Sequence, residues 1–144
     1  MALLPDHLML LLTEAGVGAL GAAEGWRVGA GRMLDQPDTQ ITLYDSPGQT
    51  PNPLWLLDYP FMQVMVRGAQ DGYQAARQKA QDCYDVLLGC QPRIMSNRDR
   101  IDAITVVGTP SFIGNDAKNR PMISANYRVI FEPAPSTLTN RLPL

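Results

Sequence analysis

FMQVMVRGAQDGYQAARQKAQDCYDVLLG, Phe61 to Gly89, reads as one strand running almost directly into one long helix. From Phe61 to Gly68 the residues alternate. Met62, Val64 and Val66 point one way, and Phe61, Gln63, Met65 and Arg67 the other, which is the period of a sheet strand. From Asp71 the period changes. Tyr73, Ala76, Ala80, Cys83, Tyr84 and Leu87 fall on one face of a 3.6-residue repeat, with Gln74, Arg77, Gln78, Gln81, Asp82 and Asp85 opposite. Asp71 is expected to cap the first turn, with Gln74 reaching back in a variant of the capping box, and Gly89 to end the helix in a left-handed conformation.

Working outward, Pro5 to Glu14 predicts an amphipathic first helix with Leu8, Leu11, Leu12 and Ala15 inward and Asp6 at its positive end. Gly16 to Met33 is glycine-spaced and reads as a loop with a short extended piece at Trp26 to Val28. Its Gly16, Gly18 and Gly21 formally match a dinucleotide fingerprint, but they follow a helix where the motif needs a strand. DQPD (35–38) is a turn and QITLY (40–44) a strand. DSPGQTPNP (45–53), with three prolines, reads as a long exposed loop. LWLLDY (54–59) suits either a core wall or a subunit contact.

Beyond the central unit, Gln91 to Arg100 is turn-like, and Arg100 to Gly108 is a strand apolar on both faces and so expected to be covered on both. Thr109 to Pro121 reads as a loop. Met122 to Glu132 alternates most cleanly, with Ile123, Ala125, Tyr127, Val129 and Phe131 on one side. The expectation is an α+β domain over residues 1–132, a small mixed, largely antiparallel sheet with helices mainly on one face, followed by a proline-rich arm over 133–144.

The totals narrow the function. At 144 residues one domain can bury a core without staples. A net charge of −2 and a pI near 5.2 leave no basic footprint for nucleic acid. Cys83 and Cys90 match no metal or redox spacing and read as a buried thiol and a loop thiol. The N-terminus lacks the basic start of a signal peptide, no run is long enough to span a bilayer, and the chain reads as intracellular, soluble and without a membrane partner. The single histidine, His7, has no neighbouring nucleophile or second ligand at helical spacing. Asp99, Asp102 and Asp116 allow either a divalent-ion site or plain surface charge. No catalytic motif is present, so no catalytic residue, cofactor or metal is assigned. A small cytoplasmic enzyme or ligand-binding domain stays as an alternative.

Polar residues on strands remain to be explained. Gln63 with Arg67, and Asn126 with Arg128, are either solvent-facing or part of an inter-subunit surface. Taken together, DQPD before QITLY, MQVMVRG closing on Arg67, the helix that follows, and IGNDAKNRPMISANYRVIF (113–131), with Asp116, Arg120, Ser124 and Asn126, form an ordered set. Over roughly Leu8 to Phe131 this set resembles the tail terminator (minor capsid, or tail completion) proteins of long-tailed bacteriophages. The resemblance implies a non-enzymatic virion protein that assembles as a hexameric ring at the head-proximal end of the tail. Such a ring stops growth of the major tail tube protein, meets a head-completion or connector protein, and lets DNA through its bore without specific binding. A head–tail connector or stopper ring is the alternative within virions. Gln63, Arg67, Asp116, Arg120, Asn126 and Arg128 are the interface candidates, and Arg67→Glu is expected to block assembly while leaving the monomer folded.

Overall fold

The computed structural model describes residues 3–144, which form two helices and eight strands. The first helix, α1 (Leu4–Glu14), opens with Pro5 in its first turn, and Asp6 Oδ2 accepts the Leu3 backbone N–H at 2.7 Å. Leu8, Leu11 and Leu12 are buried on its inner side, as their spacing requires, whereas Ala15, expected inward, lies past the helix end and is exposed. Two short strands follow, β1 (Ala19–Leu20) and β2 (Arg27–Ala30), then β3 (Gln40–Gln49) and β4 (Tyr59–Arg67). Next come α2 (Tyr73–Leu87), β5 (Arg93–Ile94), β6 (Arg100–Val106), β7 (Ser111–Asn115) and β8 (Pro121–Glu132).

All eight strands belong to one sheet, ordered β1-β2-β3-β4-β8-β6-β5. The first three are mutually parallel and the remaining pairs antiparallel. The long β8 organises it. Along one edge it pairs with β4, from Phe61↔Arg128 to Arg67↔Met122, and its other edge is shared by β6 and β7. The α+β arrangement, largely antiparallel with helices on one face, is the one the alternation implies.

The core lies between that face and the helices. Met62, Val64 and Val66 of β4, and Ile123, Tyr127 and Val129 of β8, are almost wholly buried against Ala76, Ala80, Cys83 and Leu87 of α2. Alanines on α2 let the helix sit close. The join is equally tight: a Cβ on Gly68 would fall 2.8 Å from that of Ala76.

Five local expectations are revised. The α2 cap residue is Gly72, with no side-chain cap bond, and Asp71 sits at φ 58° in the turn before it. Strand β3 runs on to Gln49 through Pro47 and Gly48, because β2 flanks only Gln40 to Leu43 and the irregular register between Ser46 and Gln49 absorbs the proline. The stretch after Thr109 contains a strand, β7, that completes the edge of β8. The β6 strand does not keep simple alternation. A bulge between Ile101 and Ala103 leaves Ile101 and Ile104 facing the core, while Thr105 and Val107 are exposed. It is therefore covered on one face. Finally, LWLLDY is mixed: Leu56 is buried, whereas Leu54 and Trp55 are exposed.

Residues 133–144 return along that segment. Trp55 and Leu142 form a parallel bridge, and Arg141 Nη1 meets Asp58 Oδ1 at 2.7 Å. No described helix is long and apolar enough to cross a membrane.

Candidate assembly surface

Opposite strands in register put their side chains on a common face. On the face away from the helices this gives the rungs Gln40–Arg67–Met122, Thr42–Met65–Ser124, Tyr44–Gln63–Asn126 and Ser46–Phe61–Arg128–Thr105. The two ends of this face are built differently.

At one end the face is closed by a strap. Parallel β2 and β3 must be joined by a crossover, and residues 31–39 cross the sheet on the side without helices. The strap is held from below. Gln40 Nε2 donates to the carbonyls of Leu34 (2.7 Å) and Pro37 (2.8 Å), while its Oε1 accepts the Leu34 N–H. Arg67 donates to the carbonyls of Asp38 (2.9 Å), Asp35 (3.0 Å) and Pro37 (2.8 Å). The peptide Gln36–Pro37 is cis.

From the side, the β7–β8 turn locks the same strap. Arg120 Nε meets Asp116 Oδ2 at 2.8 Å, Nη1 reaches the Asp35 carbonyl (2.7 Å) and Asp38 Oδ1 (3.0 Å), and Nη2 reaches Asp35 Oδ1 at 3.2 Å. Lys118 adds an exposed pair to Asp35. Burial, with the Arg120 charge nearby, lowers the Arg67 pKa below its ordinary value. Burial opposes the charge of Arg120 as well, but its bonds to Asp38 and Asp116 raise its pKa overall. For Asp116, hydrogen bonds from Arg120 and Lys118 outweigh desolvation and hold the carboxyl below its usual range.

Arg67 and Arg120 are 4% and 5% exposed and Asp116 is bonded to Arg120, so three of the six interface candidates hold the chain to itself. Arg67→Glu would set a carboxylate against three carbonyl oxygens, and its first expected effect is on the strap.

At the other end the face is bare. Asn126, Arg128, Thr105 and Ile130 are exposed, with Gln63, Tyr44 and Phe61 half-buried beside them. Gln63 Nε2 donates to Ser124 Oγ at 2.9 Å. The Arg128 guanidinium lies over the Phe61 ring, 5.3 Å from its centroid, and has no carboxylate partner among the described residues. Gln63, Asn126 and Arg128 are thus brought together, apart from the strap.

The remaining polar candidates are spent separately. His7 is buried and its Nε2 lies 2.7 Å from Asp99 Oδ2, a contact 92 residues apart in sequence. Asp99 also accepts from Asn97 Nδ2 and the Ala134 N–H, and these bonds and His7, against desolvation, keep its pKa below the usual range. Asp102 pairs with Arg100, and Asp116 with Arg120, so the three aspartates do not converge; no metal-binding group of three occurs among the described residues. Burial pushes the Cys83 thiol up to about 12. An open cleft of about 540 Å³ beside β7 is lined by Tyr73, Phe112 and Pro121, with Tyr73 edge-on to Phe112 at 5.5 Å.

A single sheet with one face under helices and the other half strapped and half bare defines a small α+β fold. The sequence profile of the bacteriophage tail terminator proteins matches residues 11–133, and the chain belongs to that family. Membership carries with it a structural part in a phage tail. In fold the chain is similar to a component of the virion of a native gene transfer agent particle, with a TM-score of 0.64 at 13% identity over 90% of this chain and 95% of that one. No curated protein matches it in sequence.

Proposed function

We propose that this protein caps the head-proximal end of a tail tube as a ring of six copies. The ring ends tube polymerisation and offers its far side to a head-completion protein. The observation that carries the reading is family membership over residues 11–133, and a half-bare sheet face gives it a physical site for subunit contact. Closed rings need two different surfaces on each copy that meet head to tail. The role is one of assembly rather than catalysis. With a net charge of −2, the chain suits a bore that DNA traverses without being gripped.

The test is mass by light scattering across a concentration series, with electron microscopy, for the protein alone and with purified tail tubes. Six-fold rings, free or on tube ends, are expected. Twelve-fold rings would replace this reading with a connector. Monomers in both settings would overturn it.

A further inference from the structure

The bare sheet face and the outer face of α2 lie on opposite sides of one copy, and each carries a charge that the chain leaves unanswered. On the sheet, Arg128 is exposed and steadied by the Phe61 ring, with Asn126 and Ile130 exposed beside it. On α2 the charges run against the helix dipole. Arg77 and Lys79 stand in the first half, Asp82 and Asp85 in the second, and neither an acidic first turn nor a basic last turn offsets them. Gln78 Nε2 and Gln81 Nε2 hold the two carboxylates by hydrogen bonds of 2.9 and 3.1 Å without neutralising them. Lys79 lies 3.9 Å from Asp82, while Asp85 has no cation partner among the described residues.

We infer that the bare face of one copy receives the outer face of α2 from the next, with Arg128 set against Asp82 and Asp85. The occupant is a second copy because the two mismatches are complementary in sign and answer each other. Since they lie on opposite sides of the sheet, they cannot meet within one chain. Contact between them is therefore head to tail, the arrangement that closes into rings. It would also extend the two-layer body into alternating helix and sheet layers, each sheet covered on both faces. This inference rests on the ring reading above and names the surfaces that would build it.

A charge swap tests it, with ring formation read by light scattering and microscopy, alone and with tail tubes. Arg128→Glu, and Asp82→Lys with Asp85→Lys, are each expected to weaken ring formation by about tenfold at low salt, as for interfacial charge pairs. The combined swap is expected to recover most of it. Circular dichroism checks that each variant is folded. As a second measurement, Arg128→Cys with Asp85→Cys in a Cys90→Ser chain is expected to crosslink copies into a ladder ending at the ring size. Variants that assemble like the natural chain, or a swap without recovery, would overturn this contact and leave the ring reading intact. Failure of the natural chain to form rings in either setting would remove both.

Discussion

Replacing Arg67 by methionine keeps most of the buried stem and deletes the three bonds that fasten the strap. Simple addition overstates the cost, because two of the acceptors have other donors. The Asp35 carbonyl keeps Arg120 Nη1 at 2.7 Å, and the Pro37 carbonyl keeps Gln40 Nε2 at 2.8 Å. Only the Asp38 carbonyl loses its side-chain donor. One orphaned acceptor and two weakened ones give a loss of about 2–3 kcal/mol, partly offset because no cation need be buried. For a domain of this length that lowers the thermal midpoint by about 8–12 °C. Arg67→Lys should lie between, since a lysine cannot reproduce the fork. The assay is thermal unfolding by circular dichroism, with hydrogen exchange at the Leu34 amide, which bonds Gln40 within the strap. A midpoint within about 2 °C of the natural chain, with Leu34 exchange unchanged, would refute the assignment of Arg67 as the strap's fastener.

Three further outcomes are expected. Asp99 and Asp116 have folded pKa values below the ordinary carboxyl value, so their stabilisation is fully present above about pH 5 and is lost as pH falls through and below about 4. Urea midpoints across that range should fall on acidification, and Asp99→Asn should flatten the fall while lowering stability at neutral pH. Gly68→Ala drives a methyl to within 2.8 Å of the Ala76 Cβ and 3.0 Å of the Gly72 carbonyl oxygen, and should cost about 1–3 kcal/mol in chemical denaturation. A thiol reagent at pH 8 should modify Cys90 in the native protein and both cysteines only after unfolding, because Cys83 is fully buried and its thiol titrates near 12.

Much of the fold is legible because it follows from side-chain period. The alternation of Met62, Val64 and Val66, and of Ile123 to Phe131, is what a sheet with one buried face imposes, and the Ala76–Ala80–Cys83–Leu87 stripe is its helical counterpart. Features set by backbone pairing leave weaker traces. Pro47 and Gly48 look like a turn, yet at a register irregularity beyond the reach of β2 they are tolerated in a strand. The β7 strand is short and ends in Gly114 and Asn115, so its composition is that of a loop. The bulge at β6 shifts its facing midway, which no fixed period anticipates.

The surface divides the same way. Gln63, Asn126 and Arg128 are recognisable as outward polar positions in an alternating strand. Arg67 and Arg120 look alike in sequence, but their partners in the strap lie 29 to 85 residues away. His7 and Asp99 cannot be paired from sequence for the same reason, lying 92 residues apart. The DQPD motif, which reads as a turn, gains its meaning from the parallel order of β2 and β3.

The lock between Arg120 and the strap also has a temporal side. It joins Asp35 to a residue 85 positions later, after every strand of the central sheet but the last has been made. Closing so long a loop is entropically costly before the strand pairs are in place, so the lock is expected to form late, on the native side of the folding barrier. Interactions absent from the transition state govern how fast a protein opens rather than how fast it closes. Arg120→Met, which removes the lock, should therefore raise the unfolding rate and leave refolding nearly unchanged. What the strap confers is residence time in the folded state.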